Sequence, residues 1–313
     1  MGIDDQTPEF SAGAQTSVSN LDAIVAGLRH SREVTHKIRH QGHVRELPCR
    51  ETLMHIRDGL LAALFPSHYG CSNLTDETID YYVGHTLSRT LGALTEQVRR
   101  GLLLLSPENK PRFEEADCAA CDIVRDFAAQ LPAIRIALVS DLRAAYRGDP
   151  AATSLAEVLL CYPGMRAVIH YRIAHALTKL GAPLVPRLLA SISQTETAID
   201  IHPDAEIGPH FFIDHGVGVV IGQTAVIGEN VRLYQHVTLG AKSFTEDETG
   251  ALVKGEPRHP IIEDNVVIYA GATILGRVTV GRDSVIGGNV WLTRSVPPGS
   301  FVSQAQNRLA EGE

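Results

Sequence analysis

An aliphatic residue recurs every sixth position from Ile201 to Leu292, and few folds accommodate such a period. The series runs Ile201, Ile207, Ile213, then Ile221, Ile227, Leu233 and Leu239, and resumes as Ile262, Ile268, Ile274, Val280, Ile286 and Leu292. A small or β-branched residue often precedes by two places, as at Ala205, Val219, Ala225, Val231, Val237, Val266, Ala272, Val278 and Val290. Glycine often follows directly, as at Gly208, Gly222, Gly228, Gly281 and Gly287. Repeats of this length mark a parallel β-helix, in which each hexad supplies one short strand and one turn. Three hexads close one triangular coil, so the two runs predict about four coils. A β-sandwich would instead show period-two alternation and irregular strand spacing.

The pattern breaks twice. The step from Ile213 to Ile221 is eight residues, directly after Asp214-His215, which predicts a bulge there. Between Leu239 and Ile262 a polar, charged loop over 241–260 intervenes and ends Pro257-Arg258-His259-Pro260. Long loops on a rigid solenoid commonly carry function, and flanking prolines restrict the Arg258-His259 backbone.

Ahead of the coil, residues 18–198 read as helices. Leu53, Ile56, Leu60 and Leu64 form one apolar stripe; Ile79, Val83, Leu87, Leu91, Leu94 and Val98 form another, with Thr75 as its expected N-cap. Phe113 to Gln130 predicts a helix that stops near Pro132, with Ile134 to Tyr146 as the next, broken at Gly148-Asp149-Pro150. Short helices follow over Ser154–Cys161, Met165–Leu180 and Leu184–Gln194. The expected organisation is α+β: a polar lead-in over 1–17, a helical domain over 18–198, the β-helix over 199–301 and a tail over 302–313.

The balance of 28 basic and 36 acidic residues, net charge -8, excludes a basic nucleic-acid footprint. No apolar run reaches the roughly 18 residues that span a membrane. The polar segment from Met1 to Asn20 lacks the basic-then-apolar order of a signal peptide. Five cysteines (49, 71, 118, 121, 161) without an export signal make a reducing cytoplasm the default. Cys118 and Cys121 read as small buried residues of a helix. No cysteine follows Cys161, so the coil itself offers no acyl-cysteine intermediate.

Asp200 and His215 stand fifteen residues apart, less than one 18-residue coil, so neighbouring corners of the coil bring them within reach. A carboxylate beside an imidazole fixes its tautomer, and such a histidine removes a proton from a hydroxyl. A histidine in a strand also serves as a plain hydrogen-bonded structural residue, and spacing alone does not separate the two.

The motifs in order do more. Ile199-Asp200-Ile201-His202-Pro203, Asp214-His215-Gly216, Val220 to Gly228, Val237-Thr238-Leu239-Gly240, Arg258-His259-Pro260 and Gly271 to Gly276 together resemble serine O-acetyltransferases. Asp149-Pro150-Ala151 and Tyr171-Arg172-Ile173-Ala174-His175 match that family too. The resemblance covers about 140–300, whereas residues 1 to about 130 resemble the family only in being helical. It implies a left-handed coil, acetyl-CoA as co-substrate with no permanently bound cofactor, and L-serine as acceptor. It also implies His215 as general base, Asp200 as its orienting partner, Asp149 and Asp214 for the serine ammonium, and Arg258 and His259 for the carboxylate and the placing of the hydroxyl. Backbone groups near Ala270 and Gly288 correspond to acetyl-CoA contacts, although small residues also simply suit tight turns. The resemblance further implies a homotrimer or a dimer of trimers and L-cysteine as a feedback inhibitor.

Three departures and two other chemistries complete the reading. Ala241-Lys242 stands where the family has a further glycine, and Phe301 to Arg308 stands where a Gly-x-Pro-Ala-Arg segment touches CoA. The chain ends at Glu313 without the terminal Ile by which relatives dock into cysteine synthase, so no such complex is expected. His202, His210, His215 and His236 invite a zinc site of carbonic-anhydrase type, but a metal reading leaves Arg258-His259 and the aspartates without a role, so none is expected. An acyltransferase for a sugar or another neutral hydroxyl would not need Asp149, Asp214 and Arg258, and a plain scaffold gives Asp200 and His215 nothing to do.

Overall fold

The computed structural model describes residues 20–31, 46–105, 113–243 and 247–304. The lead-in over 1–17 and most of the 302–313 tail lie outside them. The chain divides into two compact units, Met1–Glu46 and Leu47–Glu313. Within the first, helix α1 (Leu21–His30) carries Asp22 in its first turn and Arg29 and His30 in its last, matching the helix dipole.

The second unit opens with α2 (Arg50–Leu64), α3 (Pro66–Tyr69), α4 (Ile79–Leu105), α5 (Phe113–Gly148), α6 (Leu155–Cys161), α7 (Pro163–Lys179) and α8 (Val185–Thr197). The predicted stop at Pro132 does not occur, and α5 runs through it. An internal proline costs a helix about 3 kcal/mol. Val124, Phe127, Leu131, Ile134 and Leu138 around it are all buried, and large apolar side chains return about 1.5–3 kcal/mol each, so packing overrides the local signal. Thr75 does not cap α4 directly: its carbonyl accepts from Thr78 and Ile79 in a turn, and the helix starts at Ile79. Cys118 and Cys121 are exposed, contrary to the buried reading; Ala116 and Ala120 take the inward positions of α5.

The coil follows as β1 (Asp200–Ile201), β2 (Glu206–Ile207), β3 (Phe212–Ile213), β4 (Val220–Ile221), β5 (Val226–Ile227), β6 (Arg232–Leu233), β7 (Thr238–Gly240), β8 (Ile261–Ile262), β9 (Val267–Ile268), β10 (Thr273–Leu275), β11 (Thr279–Val280), β12 (Val285–Ile286), β13 (Trp291–Leu292) and β14 (Phe301–Val302). They stack into three parallel sheets, β1-β4-β7-β10-β13, β11-β8-β5-β2 and β14-β12-β9-β6-β3. These are the three walls of a prism, with four full coils and a partial fifth. The inward residues register on one another, as Ile201 on Ile221 and Ile221 on Leu239, and are buried.

The sequence breaks are absorbed at corners. Asp200 pairs with Val220, twenty residues on instead of eighteen, and Val226 pairs with Ile261 across the long loop. The added residues of the first coil include Gly216 at φ +85 and Gly218 at φ +76. Corners that turn through the left-handed region also use residues that tolerate it: Asn230, Asn265 and Asp283 on one edge, and His215, His236 and Asn289 on another. On the first of these edges the side chains form a ladder, Asn230 donating to Asn265 and Asn265 to Asp283, each at 2.9 Å.

Helices and coil share one hydrophobic core, from Leu53 through Ile192 and Ile199 to Leu292. Their joint explains a sequence motif. The N–H groups of the first coil donate to the second, as Asp200 N to Val219 O. The carbonyls of the first coil then need partners on the other side, and α7 provides them. Tyr171 donates to Ala205 O (2.5 Å), Arg172 to Ile207 O and Gly208 O (3.3 and 2.9 Å), and His175 Nδ1 to Pro203 O (2.8 Å). Arg172 is held in turn by Asp141, which is 0 % exposed and also accepts from Phe211 N. The Tyr-Arg-Ile-Ala-His run is therefore the seat of the coil.

Candidate active site

The edge between the third and first sheets carries an acidic pole. Asp149, just past the end of α5, accepts from Tyr162 OH at 2.5 Å and from Ala151 N at 2.8 Å. These two donors, with the charges of His215 and Arg232, hold its carboxyl below the usual range. Asp149 in turn pushes the Tyr162 phenol up to about 12. Asp214 faces the same space. Burial raises its carboxyl, and the Asp149 charge adds to that, against the opposing pull of His215 and Arg232. His215 Nε2 lies 4.0 Å from Asp214 Oδ1, and its side chain is 72 % exposed. Asp149, Asp214 and His215 are thus brought together, with Tyr162 and Arg232 as neighbours that sequence reasoning missed.

Asp200 is not joined to His215 by a hydrogen bond or ion pair within the chain. It occupies β1, whose N–H bonds to Val219 at the end of the corner that His215 begins.

The edge between the first and second sheets carries a basic pole. Arg258 donates to Gln223 Oε1 at 2.9 Å, and Gln223 Nε2 donates to Asp204 Oδ2 at 2.8 Å. The Thr224 hydroxyl accepts from Arg258 N and His259 N at 2.9 and 3.1 Å. Arg277 donates to Thr224 O and His259 O at 2.6 and 3.0 Å, tying the end of the loop to the coil. His259 is 7 % exposed; burial first, then Arg258, His202 and Arg277, push its pKa down to about 4. At neutral pH it is an uncharged imidazole, and Arg258 alone of the pair is a cation. Gly222 makes room for the ring, since a Cβ there would lie 1.9 Å from His259 Cδ2. Gly222, Gln223 and Thr224 were in view as part of a hexad; a glycine after the aliphatic position reads as a turn residue, which hid their role.

Ala270 and Gly288 lie on the His215 edge, stacked one coil apart. Asn289 N donates to Ala270 O at 2.9 Å, and a Cβ on Gly288 would sit 3.2 Å from that oxygen. Between them and His215 come Gln235 and His236, the latter packed on Gly218. Small residues therefore line the far part of this edge, at Ala270 and Gly288, with Gln235 and His236 between them and His215.

The four histidines of the zinc reading are spread over three edges: His202 between the first and second sheets, His210 between the second and third, His215 and His236 between the third and first. Among the described residues no three His, Cys, Asp or Glu side chains group as metal ligands.

Comparison with known proteins reads this arrangement as a family. Residues 259–294 match the model of the bacterial transferase hexapeptide (six repeats). The plasmid serine acetyltransferase of Synechococcus elongatus is 55 % identical over 296 residues, 92 % of each chain. The chain belongs to the serine acetyltransferase family. The serine acetyltransferase of Mycobacterium tuberculosis is 45 % identical over 53 % of this chain and 69 % of its own. Among solved structures, Entamoeba histolytica serine acetyltransferase 1 in complex with L-cysteine is similar, with a TM-score of 0.69 and 34 % identity over 91 % of this chain and all of the other. The soybean serine acetyltransferase complexed with serine gives 0.52 and 30 % over 81 % and 96 %. Serine acetyltransferase character therefore extends over most of the N-terminal helical region, beyond the stretch whose motifs carried the resemblance. The fold is the left-handed hexapeptide β-helix of that family, and no helix among the described residues is long and apolar enough to cross a membrane.

Proposed function

We propose that the acetyltransferase moves acetyl from acetyl-CoA to the L-serine hydroxyl by direct attack, with His215 as general base. The observation that carries this reading is the separation of charge over two edges: Asp149 and Asp214 beside His215 on one, Arg258 and His259 on the other. An α-amino acid presents an ammonium and a carboxylate, and such poles match its two ends. His215 takes the hydroxyl proton as serine oxygen bonds to the thioester carbon. The carbon–sulfur bond then breaks, and the leaving thiolate receives that proton from His215. Asp200 orients the exposed ring and stabilises the imidazolium.

The two poles occupy different edges of one prism, which favours a homotrimer or a dimer of trimers in which the basic pole of one chain faces the acidic pole of the next. The edge at Ala270 and Gly288 suits the thin pantetheine arm of acetyl-CoA. L-Cysteine has the same ammonium and carboxylate as serine, and the Entamoeba relative was solved with it, which supports its role as an inhibitor here. A cytoplasmic location belongs to the same reading.

Thiol release from acetyl-CoA is measured with L-serine, homoserine and a hexose as acceptors. Release that depends on L-serine is expected, and its absence overturns the proposal.

A further inference from the structure

Thr224 makes more of the basic pole than any neighbour, and its bonds fix the chemistry of His259. The hydroxyl accepts from two backbone donors, Arg258 N and His259 N. Its one hydrogen is then free for His259 Nδ1, 2.9 Å away. The backbone N–H of Thr224 donates to that same Nδ1 at 3.1 Å. A backbone N–H cannot accept, so Nδ1 is an acceptor and carries no hydrogen. The single proton of the neutral ring therefore sits on Nε2. That atom has no partner among the described residues and is not among the buried unsatisfied atoms, so it reaches the surface.

We infer that Thr224 is a positioning residue that locks His259 in its Nε2–H tautomer, so that His259 serves the acceptor amino acid as a hydrogen-bond donor and never as a base. The inference rests on the proposed serine site. Burial and three nearby cationic or histidine side chains keep the ring uncharged through the neutral range, which agrees with a fixed donor. Gly222 belongs to the same device, because a Cβ there would also lie 2.1 Å from Nε2 and displace the ring. The hydroxyl thus holds two backbone amides and one ring at once. Valine, of the same shape, removes all three of its bonds; serine keeps them.

The test combines a spectrum and kinetics on the full chain. With 15N-labelled histidine, and His259→Gln as the assignment control, the wild-type His259 signal should show protonated Nε2 and bare Nδ1, unchanged from about pH 6 to 8. In the serine-dependent CoA-release assay Thr224→Val should raise KM for L-serine by about ten- to a hundredfold, with a smaller fall in kcat. Thr224→Ser should stay within about threefold of wild type. A protonated Nδ1 in the wild type overturns the inference. So does Thr224→Ser failing as badly as Thr224→Val, or Thr224→Val behaving as wild type. If the wild type shows no serine-dependent release, the proposed function falls, and the spectrum still decides the tautomer. Should Thr224→Val not fold, Gly222→Ala serves in its place, with the same rise in KM expected.

Discussion

The Tyr162 hydroxyl donates to Asp149 Oδ2 across 2.5 Å, while Ala151 N–H occupies the other carboxylate oxygen. A substrate ammonium approaching Asp149 meets a carboxylate already held in place. The bond lowers the Asp149 pKa, so Tyr162→Phe should raise it. Serine binding by the carboxylate is lost as pH falls through that pKa. The rise of KM for serine on acidification should therefore begin at higher pH in the variant, with KM up by about three- to tenfold at neutral pH. A pH–rate profile of both proteins checks this.

Removal of the base is the harsher change. His215→Ala should lower kcat by about two to four orders of magnitude. Asp200→Asn and Asp214→Asn separate the two carboxylates near it. Asp200→Asn should act mainly on kcat, as an orienter does, and Asp214→Asn mainly on KM for serine. The opposite split would make Asp214, 4.0 Å from the ring, the orienting partner.

A site shared between chains can be rebuilt from two broken ones. His215→Ala and Arg258→Ala, each nearly inactive alone, should regain up to about one quarter of wild-type turnover when co-expressed and mixed at random in a trimer. Activity no greater than the sum of the two variants would place both poles' work within one chain.

Acid stability should report a residue far from the chemistry. His170 is buried between Arg57, which donates to Nε2 at 3.4 Å, and Arg166 O, which accepts from Nδ1 at 2.7 Å. Burial lowers its pKa from 6.5 to about 4. Between those values the unfolded chain binds the extra proton, so stability rises with pH across this window and flattens above about 6.5. The full effect is on the order of 3 kcal/mol. Urea midpoints against pH should show a slope that is shallower by about one proton in His170→Gln.

The coil was legible because burial enforces one aliphatic residue per hexad, and Ile201, Ile221 and Leu239 do stack in one column. The two interruptions were legible as candidate sites for the same reason: nothing in the core required Asp214-His215 or Arg258-His259 where they stand. Tyr162 and Thr224 were not, because a hydroxyl in a helix cap or a hexad looks the same whether or not it holds a functional carboxylate or imidazole. Pro132 misled because core contacts along α5 exceed the local penalty. Exposure of Cys118 and Cys121 depended on which face of that long helix meets its neighbours, which spacing did not settle. Coil geometry predicts an approach of Asp200 to His215, but no hydrogen bond or ion pair joins them, because His215 turns at the corner beside Asp214.

The four carbonyls that α7 covers are also a boundary condition on growth. A parallel coil ends in a row of acceptors that match the donors of any other coil, so a bare end is a template. Tyr171, Arg172 and His175 occupy those acceptors before another chain can. Cut free of α7, the solenoid would be open to head-to-tail polymerisation; with α7 in place, elongation at that end is blocked by three side chains of a single helix.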